Sequence, residues 1–259
     1  MSTGIAVCVA AVPNPEKVKW DRFRQLLDTQ DAEPVLNPAD RLALELAAQL
    51  AKATGSTFDA YSAGSGATAA LREAAGFGAQ RLVAVLDPLL DGADEAGVAA
   101  VLAKAIEHSG WADVIMCGAA TSSLGTGAVP GYLSASAQAG LRANAVGLAI
   151  EGDAIAVTVL DDGRSVRSLA PFPVVIAAAP YGLTTRTLSP ILVMRATKKP
   201  IEELTLEAIG VTVPLPTTGA TDGPLESNRK KRGNETIEGS DAESRSITLV
   251  SALRDRQLV

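Results

Sequence analysis

The chain has 259 residues, 47% of them apolar, and 23 lysines and arginines against 29 aspartates and glutamates give it a formal charge of −6. This is the composition of a soluble globular protein long enough for one large domain or two small ones, and it excludes a chain that is disordered throughout. The acidic balance, with the basic run at 229–232 set in a polar stretch, argues against nucleic acid as a partner. No segment approaches the roughly 18 consecutive apolar residues of a membrane span, and no basic residues precede the first apolar run as a signal peptide would require.

Cys8 and Cys117 each sit inside an apolar run, which suits reduced, buried thiols in a cytoplasmic protein. With one histidine, His108, and no Cys/His cluster, a zinc site is not expected. His108 reads as a surface or helix-terminal residue.

In chain order, residues 5–12 form a continuous apolar run, as expected of a strand buried on both faces, and Pro13-Asn14-Pro15 ends it. Asn37-Pro38-Ala39-Asp40 opens a helix, with Asn as N-cap, Pro at the first turn and an acid placed to meet the free amides. Leu42, Leu46 and Leu50 form its buried stripe. Strands follow at 57–62, 81–86 and 114–117 and helices at 67–75 and 94–108, so β and α units alternate and a doubly wound, mostly parallel sheet is the favoured α/β architecture.

After the loop 118–127 and a short helical stretch, the pattern changes to strand-like runs at 145–150, 155–160, 166–169 and 174–179 separated by tight turns. These predict an antiparallel β extension. Residues 217–246 contain too few apolar side chains to offset the entropy of ordering them and read as a disordered linker, and an apolar patch at 247–253 reads as a docking segment.

Three loops could carry chemistry. Gly64-Ser65-Gly66-Ala67-Thr68-Ala69 fits G-x-G-x-x-[GA] with Asp87 about twenty residues on, the pattern that brings a pyrophosphate to a helix N-terminus and an acid to a ribose hydroxyl; the same residues also suit a small turn that packs helix on sheet. The loop Gly118 to Gly127 offers hydroxyls and exposed amides at the carboxyl end of a strand, where open α/β sheets bind ligands, although it lacks the Gly-Lys-Ser/Thr of a nucleotide-hydrolysing loop. The first βα loop and Asn37 reach the same edge. The basic run 194–201 reads, on composition alone, as a solvated surface segment.

Taken together, AVCVAAVPNP, LNPADRLALELAAQL, LREAAGFGAQRLVAV, PVVIA and MRATKKPIEELTLEAIGV occur in the order in which they resemble segments of the electron transfer flavoprotein β subunit family, over about residues 4–211. The chain resembles a divergent member: Ala10-Ala11 stand where the family carries Lys-Arg, and the first half of its signature is little visible near 161–166.

The resemblance implies an α/β domain at 1–211, a linker at 212–246 and a docking segment at 247–259. It also implies an α subunit that holds most of the FAD, a flavin-dependent dehydrogenase as electron donor, and AMP as a possible ligand of this chain. Carried over by position, the ligand contacts fall on Cys8, Asn37, Ala63, Thr121, Ser122, Ser123, Gly125, Thr126 and Gly127, and the partner-docking anchor on Leu188; Gly64, the first glycine of the motif after the second strand, is a further candidate contact. Two alternatives stay open from the residues themselves: an NAD(P)-dependent oxidoreductase using Gly64, Gly66 and Asp87, and a nucleotide-binding regulatory module.

Overall fold

In a computed structural model of the chain, the described residues are 3–21, 23–24, 26–122, 125–161, 163–218 and 235–258. Ser123 and the linker residues 219–234 therefore lie outside them. Residues fall into two compact units, Met1–Gly223 and Pro224–Val259.

The larger unit is built on β1 (Ile5–Cys8), which is buried at every position. Its residues alternate between two cores: Ile5 and Val7 face one side, Ala6 and Cys8 the other. The strand expected over 5–12 stops at Cys8 because the chain leaves the sheet there. Val9 N–H still donates to the Tyr61 carbonyl, but Ala10 N–H donates to the Asp40 carboxylate. The next residues form β2 (Ala11–Pro13), which pairs antiparallel with β5 (Pro34–Leu36). A small ribbon of β3 (Lys19–Asp21) and β4 (Leu26–Asp28) fills the excursion between them.

Helix α1 (Pro38–Thr54) returns across the sheet with Leu42, Leu46 and Leu50 buried, as the spacing of four requires, and Gly55 closes it in the left-handed conformation. Then follow β6 (Phe58–Ala63), α2 (Ala67–Gly76) and β7 (Leu82–Val85), a short 3-10 turn at Pro88–Gly92, α3 (Glu95–His108), β8 (Val114–Gly118) and α4 (Val129–Ser136). His108 is the last residue of α3 and exposed.

The extension is longer than its apolar runs suggest: β9 (Gly140–Glu151), β10 (Ala154–Asp161) and β11 (Arg164–Pro171) form an antiparallel meander, whereas β12 (Val174–Ala178), expected to belong to it, inserts between β9 and β8 and runs parallel to both. Helix α5 (Pro190–Thr197) and the edge strand β13 (Glu202–Leu204) complete the unit. Neither shows a strong period in sequence; β13 owes its state to pairing with β7.

The nine strands run in the order β11-β10-β9-β12-β8-β1-β6-β7-β13, parallel from β9 to β13. Helices α1 and α2 cover one face, α3 and α4 the other, so the architecture is doubly wound with an antiparallel extension. In the smaller unit, α6 (Ala242–Asp255) carries a capping box between Asp241 and Ser244 and begins inside the stretch read as linker. Among the described residues no helix is long and apolar enough to cross a membrane.

Candidate functional site

The carboxyl ends of β1, β6 and β8, with the starts of α3 and α4, enclose a cavity of about 450 Å³. β1 leads into α1 on one face, whereas α3 and α4 lie on the other, so the cavity opens at the point where the winding reverses. This is where open α/β sheets bind ligands, and the volume is that of a small-molecule site.

Of the expected contacts, Cys8, Ala63, Thr121, Thr126 and Gly127 line this cavity. Asn37 is buried behind it: its side-chain amide donates to the Ala120 carbonyl at 3.0 Å and its amide oxygen accepts from Ser122 N–H at 3.1 Å. Although Asn37 occupies the N-cap position of α1, its side chain makes no capping bond. It shapes the 118–127 loop instead, which is how Ser122 is engaged. Gly125 sits outside the lining with φ +69°, a conformation that favours glycine. Gly64 is also outside the lining.

Asp40 is the residue whose part the sequence did not disclose. Three residues into α1, it reads as an acid serving the helix dipole, but its carboxylate accepts Ala10 N–H at 2.8 Å and Gly118 N–H at 2.9 Å. One buried side chain thus joins the ends of β1 and β8 on the cavity floor. Burial raises its pKa to about 6, against the opposing pull of the two amides and Asn37. Gly118 completes the arrangement: a Cβ there would lie 2.7 Å from Ala39 Cβ and 2.8 Å from the Ala39 carbonyl carbon, so no side chain fits without displacing backbone.

The walls are unusual in charge. Asp40, Asp91, Asp94 and Glu95 line the cavity, and among the described residues no lysine, arginine or histidine does. The two loop residues outside the description, Ser123 and Leu124, are uncharged. The Thr218 N–H and hydroxyl and the Thr217 hydroxyl donate to Asp94, which also caps α3 through Ala96 and Gly97 N–H; together these bonds hold its pKa below the ordinary range. The Thr126 hydroxyl donates to Glu95 at 2.7 Å, tying the 118–127 loop to the first turn of α3. Cys8 and Cys117 are free, and burial raises both thiol pKa values.

This lining suits the nucleoside part of a ligand, because carboxylates accept hydroxyl hydrogens and Val9, Val98 and Leu102 offer apolar surface. A phosphate would be held by main-chain N–H groups of the loop and of the α4 N-terminus, without a side-chain cation.

The Gly-rich segment takes the packing alternative. A Cβ on Gly66 would stand 2.7 Å from Ala11 Cβ, so the gap this glycine opens is filled by protein. Asp87 accepts Leu89 N–H at 3.0 Å as the cap of the 3-10 turn. Neither Gly66 nor Asp87 lines the cavity.

On the opposite face, Leu188 is half-buried, its Cδ1 closing over Gly76 of α2. The segment around it is fixed by Arg186, whose backbone N–H, Nε and Nη2 all donate to the buried Glu45 of α1, the guanidinium bonds measuring 2.7 and 2.9 Å. The Arg186 partnership holds the Glu45 carboxyl down to about 2. Beyond it, Tyr181, Ile191 and Met194 are exposed.

The electron transfer flavoprotein domain matches residues 26–209, a stretch that contains α1, both loops at 63 and 118–127, and the segment carrying Leu188. A 115-residue part of the chain is 33% identical to the electron transfer flavoprotein subunit beta of Thermoanaerobacterium thermosaccharolyticum; the similarity spans 44% of each protein. The fold and site define an α/β protein with a cavity at the sheet's switch point. The chain belongs to the electron transfer flavoprotein family, whose members are flavin-associated electron carriers.

Proposed function

We propose that this chain is the β-type subunit of a heterodimeric electron transfer flavoprotein. In this reading an α-type partner holds most of the FAD, a flavin-dependent dehydrogenase is the donor, and electrons pass one at a time to a downstream acceptor. Bound flavin supplies the redox chemistry; this chain supplies docking surface, electrostatics and a ligand cavity. An adenine nucleotide in that cavity, AMP first, belongs to the same reading, as does a cytoplasmic location, for which the two buried free cysteines speak.

The observation that carries the reading is the family match over 26–209, because the matched stretch includes most of the cavity's walls and the Leu188 segment. Purifying the protein from its native operon context, denaturing it and identifying released nucleotides and co-purifying chains by mass spectrometry tests it. FAD with a second subunit is the expected result. NAD(P) released from a chain that purifies alone would overturn it in favour of a dinucleotide enzyme.

A further inference from the structure

A second cavity, of about 560 Å³, lies between α1, α2, the 185–188 segment and α5, on the face opposite the first. Its character is the reverse of the acidic one. Three guanidinium groups from three elements line it: Arg41, Arg72 and Arg186. Arg41 is matched by Glu73 at 2.6 Å and Arg186 by Glu45. Arg72 donates one bond, to the Lys199 carbonyl, and among the described residues it has no carboxylate within ion-pair distance. A guanidinium carries five donors arranged as a planar fork, so most of this group's capacity is unspoken for.

Arg195, Lys198 and Lys199 follow on the same segment, and among the described residues none is paired with an acid. This leaves a local positive excess on a chain of net charge −6, the arrangement that draws anions to one place. Phe77, Leu188 and Val193 give the cavity an apolar patch, beside Thr185, Thr187, Thr197 and the Glu73 that pairs with Arg41. A concave site with an apolar wall and a few placed polar groups is the usual form of a small-molecule site.

We infer that this cavity binds a small organic anion, its phosphate or carboxylate group held by the free edge of Arg72 and its apolar body laid against Phe77, Leu188 and Val193. The ligand chemistry follows from the walls: a planar cationic fork pairs bidentately with either anion, and the apolar wall rewards a body that a bare ion lacks. Because Leu188 belongs both to this wall and to the segment proposed for docking, occupancy fixes that segment in one position. The inference stands apart from the flavoprotein reading, since binding here requires neither flavin nor a partner subunit.

Calorimetric titration of the full-length protein with phenyl phosphate and with inorganic phosphate tests it. Saturable binding of both is expected, phenyl phosphate the tighter, with a loss of about tenfold or more in Arg72→Gln at unchanged melting temperature. Arg72→Gln also removes the bond to the Lys199 carbonyl; should it fail to fold, Val193→Glu, on the exposed side of α5, is expected to abolish binding by placing a carboxylate at the cavity. No saturation by either ion, or equal affinity in wild type and both variants, overturns the site. Equal affinity for the two probes overturns the apolar half of the assignment.

Discussion

Asp40 shows how much one residue decides at the cavity floor. Its carboxylate joins Ala10 and Gly118 N–H, and its pKa stands at about 6 because burial outweighs those two bonds. A carboxyl whose pKa is raised from 3.8 on folding contributes stability that is complete below about pH 4 and lost as pH rises through 6. Between pH 4 and 7 the unfolding free energy of wild type should therefore fall relative to that of Asp40→Asn by on the order of 2–3 kcal/mol. Urea titrations of the two proteins across that range check it, and a constant difference between them refutes it.

Glu45 behaves in the opposite way. Its pKa, held at about 2, gives stability that is present above pH 4.5 and lost only as pH falls toward 2. Over pH 5 to 8 the Arg186 bonds should be insensitive to pH. A double-mutant cycle of Glu45→Gln and Arg186→Gln should show a coupling of about 1–3 kcal/mol, because two guanidinium bonds converge on one buried carboxylate; the bond from the Arg186 backbone N–H survives the substitution. Additive effects would mean that Arg186 is held by something else.

At the scale of elements, the segment between β12 and α5 matters most for the proposed electron transfer. It has no regular structure, and its geometry comes from the Arg186 bonds and from Leu188 closing over Gly76. Leu188→Ala is expected to slow transfer from the partner dehydrogenase severalfold, at a stability cost of about 1–2 kcal/mol and without unfolding. Stopped-flow kinetics beside a thermal melt separate the two effects, and unchanged kinetics at native stability would sink the anchor assignment. Helix α6 is a different case: none of its residues is buried, and Ile247, Leu249 and Val250 stand exposed. Fourteen residues with a capping box, an Arg245 bond to the Gly239 carbonyl and an exposed Arg256–Glu235 pair, but no buried face, make a marginal helix in water. Amide exchange over 242–255 should be fast in the isolated chain and slow once an α-type partner is bound; equal rates in both states would leave the segment without a docking role.

Considered whole, the molecule divides at Gly223 into a unit that holds both cavities and one that carries α6. A chain ending at Gly223 should melt within about 2 °C of the full chain, because the removed unit adds little to the core, while its affinity for an α-type partner falls. Co-expression of each form with that partner, followed by gel filtration and flavin absorbance, measures the difference. Retained affinity would place the whole interface in the larger unit.

Periodicity alone was enough to locate α1, α2, α3 and most of the strands, because fully buried strands must be apolar throughout and the helices over them must carry a stripe such as Leu42, Leu46 and Leu50. Of the positions expected to contact a ligand, Cys8, Ala63, Thr121, Thr126 and Gly127 fall on the lining of the sheet-edge cavity, whereas Asn37, Gly64, Ser122 and Gly125 lie outside it. What the linear chain could not disclose are contacts between distant residues. Asp40 lies 78 residues from Gly118, and Glu45 lies 141 from Arg186; each reads locally as an ordinary helix acid. The apolar run 5–12 looks like one strand, yet it breaks where Ala10 N–H finds a carboxylate instead of a neighbouring strand. Likewise β13 exists by pairing with β7, and Arg41, Arg72 and Arg186 line one cavity after two crossings of the chain. Local chemistry determined where α1, α2, α3 and the fully buried strands would lie; only the tertiary structure decided where the first strand breaks, that β13 forms and which charges meet, because these depend on distances in space that no spacing in sequence encodes.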